Sequence, residues 1–408
     1  MDIRITPSHL SGNVDIPASK SCAHRALICA ALAQGKSVIT GVSMSKDIEA
    51  TIGAMTALGA DFCIDGSTIT VTGISSVPET ADIDCNESGS TLRFIIPVAA
   101  ALGTESIFRG SGRLPERPID IFKRELSRNG IIFYSQEMPY IIGGKLKGGR
   151  YEIEGNVSSQ FVTGLIFALP LLDEDSEIFL TSHLESRPYV DITIDILRRF
   201  GITVTETDYG FFIKGGQKYI PHDEKIEGDY SQAAFFYVAN TLGADITLGN
   251  LSENSVQGDK KITEIINQVC SDGKIGSFKA DCSDIPDLVP ILTVLGAFGS
   301  GDSIIYNAER LKIKESDRLQ TSAALINSLG GNVEITDDGL IIHPVSAMHG
   351  GTVDSFGDHR IVMAATVASS AVDGEVLIKG AEAVEKSYPD FFKDFIKLGG
   401  KADVINME

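Results

Sequence analysis

Two arginines stand one helical turn inside stretches that are otherwise small or apolar: Arg25 four residues after Ser21 in SKSCAHRALICAALAQ, and Arg93 four after Gly89 in ESGSTLRF. Residues four apart share a helix face, and a guanidinium on a buried face is costly unless an anion neutralises it. Helix N-termini already favour negative charge through unsatisfied N–H groups and the helix dipole. Together these features point to an anionic ligand. The loops add further cations: Arg117 in ERPID, Arg187 beside Tyr189 in SRPY, Lys312, Lys314 and Arg318 in LKIKESDR, Arg360 in GDHR and Lys386 in VEKSYPD. Few carboxylates are interleaved with them. Asp287 and Glu315 are the candidates for proton transfer, because a carboxylate among cations stays ionised and can exchange protons with a bound substrate.

Two series of helices have to position these groups. The first is rich in Ala and large apolar residues, with few charges past its first turn: Lys20 to Ala33, Ser90 to Leu102, Gln160 to Leu169, Ser231 to Leu242, Asp287 to Phe298 and His359 to Ser370. A helix that is apolar nearly all round is buried on most sides. The second series is amphipathic and begins at Asp47, Arg117, Arg187, Asp259, Glu315 and Tyr388. Short alternating runs, STITVTG, MPYIIGG, YGFFIKGG and DGLIIHP, follow four of the second series and read as strands. The first series recurs at intervals of 70, 70, 71, 56 and 72 residues and the second at 70, 70, 72, 56 and 73. Two independent features with one period, short fourth interval included, make the chain six copies of a unit too long and too complete for a thin solenoid. Three units per domain is the natural division, with domains of 1–15 plus 228–408 and of 16–227.

The buried helices begin with SKS, ESGST, SSQ, DYSQ, IPD and GDHR. Ser, Asp and Gly serve as N-caps in any protein, but capping does not call for the arginines that follow.

The chain carries 35 Lys and Arg against 55 Asp and Glu, a formal net charge of −20 over 408 residues. That balance, without a basic tract, excludes nucleic acid and an anionic membrane as the main partner. No stretch approaches the length of apolar sequence that spans a bilayer. The N-terminal MDIRITPSHLSGNVDIP alternates like a strand and lacks an apolar signal core, so a cytoplasmic protein is expected. The six cysteines form no CxxC pair and have no His at metal-ligand spacing, which predicts reduced thiols, most of them in the core, and no metal site.

Ten segments in order, PASKSCAHRALICAALAQGKS, ESGSTLRF, RLPERPID, VSSQFVTGLIFALPL, SRPYVDIT, EGDYSQAAFF, IPDLVP, IKESDRL, GDHRIVMA and EKSYPDFF, resemble the successive motifs of the 5-enolpyruvylshikimate-3-phosphate synthase family. The resemblance runs from Lys20 to Phe392, and SKSxxxR, SSQF, KESDR and DHR together are highly specific. It implies an α/β fold, a two-domain inside-out α/β barrel in which each domain holds three βαβαββ units. Their buried parallel helices would aim their N-termini at the interdomain cleft. It further implies transfer of the enolpyruvyl group of phosphoenolpyruvate to the 5-hydroxyl of shikimate 3-phosphate by a monomer, without metal or organic cofactor. Matched motif by motif, Lys20, Ser21, Arg25, Ser158, Ser159, Gln160, Ser186, Tyr189, Asp287 and Lys314 would hold shikimate 3-phosphate. Lys20, Gly89, Arg117, Gln160, Arg318, Arg360 and Lys386 would hold phosphoenolpyruvate. Asp287 would act as base toward the hydroxyl, with Glu315 and Lys20 serving the enol methylene.

One segment departs from the family pattern: NAGTAxR is here Glu87-Ser88-Gly89-Ser90-Thr91-Leu92-Arg93, an acid replacing the amide while Gly89 and Arg93 remain. The sister enolpyruvyl transferase acting on UDP-N-acetylglucosamine shares the implied fold, but it places a reactive Cys before its RP-D element, and RGSGRLPERPID has none. A non-catalytic anion binder would be expected to lack Asp287, Glu315 or Lys20. An RNA 3′-phosphate cyclase would need a nucleotidylated His, for which His24 and His359 are the positions available, and a basic surface that this chain lacks.

Overall fold

The computed structural model describes residues 1–271 and 273–405. Its helices are α1 Lys20–Leu32, α2 Lys46–Ala57, α3 Gly89–Leu102, α4 Asp120–Arg128, α5 Ser159–Ala168, α6 Arg187–Arg199, α7 Tyr230–Thr241, α8 Lys261–Val269, α9 Val289–Ala297, α10 Arg318–Ser328, α11 His359–Ala368 and α12 Phe391–Lys397. The odd-numbered helices are the ones apolar all round, and they lie almost wholly in the core. The even-numbered ones bury only a stripe. Seven of the helix starts carry a side-chain cap. Ser19, Ser45, Ser88, Ser158, Asp229, Asp317 and Asp358 accept a backbone N–H from the first turn of the helix they precede.

The chain forms two compact units, one of Met1–Pro17 with Gly228–Glu408 and one of Ala18–Glu227. In the Ala18–Glu227 unit, each odd helix is followed by a strand, an even helix and an antiparallel strand pair. One sheet has the order Thr80–Asp84, Glu105–Arg109, Tyr140–Gly144, Ile131–Phe133, its first pair parallel and the others antiparallel. The sheet of Gly149–Ile153, Ser176–Leu180, Gly210–Ile213 and Thr205–Thr207 repeats that pattern. So does the sheet of Lys36–Thr40, Thr68–Thr72 and Asp61–Asp65, whose parallel partner is Glu224–Lys225 from the far end of the unit.

The other unit uses the N-terminal segment as two separate strands. Asp2–Thr6 sits between Asp373–Lys379 and Lys401–Ile405, antiparallel to both, while Ser11–Asp15 runs parallel to Asp245–Gly249. Lys279–Asp281, Ser303–Tyr306, Leu340–His343 and Asn332–Ile335 repeat the common sheet. Among the described residues the repeat of α7 and α8 has no such sheet. Its strands after α8 are the short hairpin Cys270–Ser271 with Lys274–Ile275, which is where the interval shortens to 56.

Two helix starts at candidate residues differ by three residues from the reading of the sequence, as does α12, which begins at Phe391 and not at Tyr388. The segment expected to be helical from Arg117 becomes α-helical only at Asp120, and Arg117 is extended with ψ 132°, the conformation favoured but not enforced ahead of a proline. The segment expected from Glu315 begins at Arg318, where the Asp317 carboxylate caps Gln320 N–H. Both changes leave a candidate side chain on a loop rather than on a helix.

Candidate active site

In the Ala18–Glu227 unit the starts of α1, α3, α5 and α6 are joined by side chains from the candidate set. Arg25 is buried, stacks 5.1 Å above the Phe94 ring, and donates to Thr193 Oγ1 at 2.7 Å, the Ser21 carbonyl at 2.7 Å and the Tyr189 carbonyl at 2.9 Å. Three of its five N–H groups are thus met by neutral oxygens, one on each nitrogen, so the side chain is held without an anion. The positive charge is still uncompensated by these groups, and burial weakens the guanidinium's hold on its proton. Arg93 donates to Gln160 Oε1 at 2.7 Å and to the Pro118 carbonyl at 3.0 Å, while Gln160 Nε2 donates to Ser90 Oγ at 3.0 Å. This contact depends on close packing of α3 against α5. A Cβ at Gly164 would sit 2.2 Å from the Arg93 carbonyl oxygen, so only glycine allows that approach.

Gly89 has a similar role toward Arg117, whose guanidinium carbon would lie 2.6 Å from a Cβ there. The extended Arg117 therefore lays its charge against the first residue of α3. Lys20 pairs with Asp47 of α2 at 2.8 Å. His24 is enclosed, bonded through Nδ1 to Thr51 Oγ1 at 2.7 Å and held neutral by burial, its pKa lowered to about 3. Thr51 continues to Thr91 and Thr91 to Ser88, tying α1, α2 and α3 together. Ser158 caps α5, Ser159 is buried beside it, and Ser186 enters α6 with φ 54°, a left-handed backbone uncommon outside glycine. Arg187 is engaged by Asp191 and Glu206 at 2.7 Å each.

In the other unit the arginines meet carboxylates. Asp287, on the turn Pro286–Leu288 before α9, receives Arg318 NH1 on one oxygen at 2.8 Å and Arg360 NH2 on the other at 2.7 Å. Arg318 also donates to Glu315 at 2.9 Å and, through Nε, to Asp358 at 2.8 Å. Asp358 is fully buried, caps α11 and accepts from Ser316 Oγ at 3.0 Å. Burial by itself would raise the Asp287 carboxyl, but Arg360, Lys314 and Arg318 outweigh it and hold the group well below the usual carboxylate range. Lys314 is half-buried, and the loss of water pushes it down to about 8 although Asp287 and Glu315 pull the other way. Lys386 donates to the Gly357 carbonyl at 3.1 Å, at the approach to α11.

The structure thus gathers Lys20, Ser21, Arg25, Gly89, Arg117, Ser158, Ser159, Gln160, Ser186 and Tyr189 about the helix starts of one unit. It joins Asp287, Glu315, Arg318 and Arg360 by direct contacts in the other, with Lys314 close enough to shift Asp287. Sequence reasoning did not single out Asp47 or Asp358. Both read as ordinary helix-start acids, and only their partners, Lys20 and Arg318, mark them out. Of the six cysteines, Cys22, Cys29, Cys85 and Cys282 are buried thiols and none is in a disulfide.

The fold class is that of the enolpyruvyl transferases. The solved structure of EPSP synthase from Acinetobacter baumannii covers 99% of this chain and 100% of its own with a TM-score of 0.83 at 23% identity. That of the enolpyruvyl transferase NikO from Streptomyces tendae covers 98% of each with a TM-score of 0.78 at 16% identity. The chain belongs to the EPSP synthase (3-phosphoshikimate 1-carboxyvinyltransferase) family, whose sequence model matches residues 5–395. The 3-phosphoshikimate 1-carboxyvinyltransferase of Clostridium novyi (strain NT) is 43% identical to it over 100% of this chain and 99% of its own.

Proposed function

We infer that the chain transfers the enolpyruvyl group of phosphoenolpyruvate to the 5-hydroxyl of shikimate 3-phosphate and releases inorganic phosphate. The observation that carries this reading is the Asp287 carboxylate, ionised between Arg318 at the start of α10 and Arg360 at the start of α11. A carboxylate held there is deprotonated and so can accept a proton, as a weaker base than a free carboxylate. Its two arginines suit the carboxylate and phosphate of phosphoenolpyruvate.

In the reaction, protonation of the enol methylene makes C2 oxocarbenium-like, and the 5-hydroxyl adds to it as Asp287 takes the hydroxyl proton. The tetrahedral adduct then loses a methyl proton and expels phosphate, which restores the enol. Glu315 and Lys20 give and recover the methylene proton. Lys20, Ser21, Arg25, Ser158, Ser159, Gln160, Ser186 and Tyr189, with Asp287 and Lys314, bind shikimate 3-phosphate. Lys20, Gly89, Arg117 and Gln160, with Arg318, Arg360 and Lys386, bind phosphoenolpyruvate. The carry-over of these roles rests on the matching motifs and on the supply of uncompensated charge at Arg25.

Phosphate release from phosphoenolpyruvate with either shikimate 3-phosphate or UDP-N-acetylglucosamine as acceptor tests the reading. Release with the first alone is expected, and release with the second alone would overturn it.

A further inference from the structure

The DYSQ start of α7 supplies none of the residues assigned above, yet its serine touches one of them. Ser231 is the second residue of α7 and only 4% exposed. Its Oγ donates to Asp229 Oδ1 at 2.6 Å and accepts from Arg360 NH2 at 3.1 Å. The direction of the second bond is fixed by chemistry, because a guanidinium can only donate and the one hydroxyl proton is committed to Asp229. A hydroxyl whose proton points at a carboxylate is also a stronger acceptor. The same Arg360 nitrogen donates to Asp287 at 2.7 Å. Its two hydrogens are therefore divided between Ser231 and Asp287, which sets the plane of the guanidinium.

We propose that Ser231 is a positioning residue for phosphoenolpyruvate use, acting through Arg360 and not by contact with substrate. The proposal rests on the reading that Arg360 holds phosphoenolpyruvate. Ser231→Ala is a clean probe of it, because Asp229 caps the helix through the Ser231 backbone N–H at 2.8 Å and that bond survives the substitution.

The test compares the full chain with its Ser231→Ala, Arg360→Ala and double variants, measuring KM for each substrate by phosphate release and thermal stability alongside. Loss of a hydrogen bond to a charged group predicts a rise of roughly ten-fold in the Ser231→Ala KM for phosphoenolpyruvate, ~1.4 kcal/mol. The KM for shikimate 3-phosphate should stay within about two-fold, and the double variant should be no worse than Arg360→Ala. If Arg360→Ala raises the phosphoenolpyruvate KM but Ser231→Ala does not, or if Ser231→Ala raises both KM values together, the proposal is overturned while the Arg360 reading stands. If Arg360→Ala leaves the phosphoenolpyruvate KM unchanged, that reading is wrong and the proposal goes with it.

Discussion

At the helix starts of the Ala18–Glu227 unit, Arg25 is held by a threonine hydroxyl and two carbonyls, whereas in the other unit Arg318 is held by three carboxylates. Both guanidinium groups are buried to within a few percent of their surface, so both had to be supplied with acceptors. The choice of acceptor decides what is left over. Neutral oxygens satisfy one N–H on each nitrogen and leave the charge, which remains available to a phosphate. Carboxylates offset part of the charge and hold Arg318 in fixed geometry beside Asp287 and Glu315, the groups proposed for proton transfer. The two units therefore hold buried arginines in different ways, Arg318 as the first residue of α10 and Arg25 in the second turn of α1.

The comparison breaks most sharply at Asp287. Asp287→Asn keeps an acceptor for one arginine but removes the base, and kcat for phosphate release should fall on the order of 10²–10⁴-fold. A fall of less than ten-fold would remove Asp287 from proton transfer and make the carboxylate cluster merely structural. Next comes Asp358→Ala, which leaves Arg318 buried with one fewer carboxylate. Breaking a buried ion pair from one side predicts a loss of roughly 3 kcal/mol, read from guanidinium chloride unfolding. A loss under about 1 kcal/mol would mean that Asp287 and Glu315 suffice to compensate Arg318.

What the sequence made legible follows from the same physics. The odd-numbered helices were visible because an element buried on every side must be apolar on every side, and its polar start then stands out. The short fourth interval was equally plain, and it corresponds to the repeat that keeps an antiparallel pair of two-residue strands in place of a larger sheet. The loops were harder. Arg117-Pro118 and Arg187-Pro188 are the same dipeptide, yet Arg117 is extended while Arg187 begins α6, tied down by Asp191 and by Glu206 nineteen residues away. No local rule separates them, since the deciding partner is tertiary. The left-handed Ser186 and the pairing of Lys20 with Asp47 were hidden for the same reason.

Within the unit that holds the carboxylates, Asp287 and Lys314 should differ in their response to pH. Asp287 is held below the usual carboxylate range and so stays ionised through neutral and mildly acidic solution; any stability it contributes is lost only as pH falls through its depressed value. Lys314 moves the other way. Its pKa of about 8 makes it a cation below that pH and neutral above it, so kcat/KM for shikimate 3-phosphate should decline as pH rises through 8, by up to about ten-fold per unit. Lys314→Arg, which stays charged, should flatten that limb. A decline that persists unchanged in Lys314→Arg would assign the titration to another group.

The smallest effect is the most discriminating for the neutral side of the comparison. Thr193→Val preserves the shape of the side chain that faces Arg25 Nε and removes only the hydroxyl oxygen. If Arg25 is held by neutral acceptors one at a time, the unsatisfied Arg25 donor should cost about 1–2 kcal/mol of unfolding free energy, in addition to the bonds that the same hydroxyl makes to the Tyr189 carbonyl and to Thr163. That donor cost is less than the Asp358→Ala loss, because no ion pair is broken. The charge of Arg25 is untouched, so saturating shikimate 3-phosphate should recover part of the lost stability by occupying the donor that Thr193 gave up. Equal losses for the two variants, without recovery on adding ligand, would show that the units hold their arginines in the same way and that the contrast between charge retained and charge offset does not govern their chemistry.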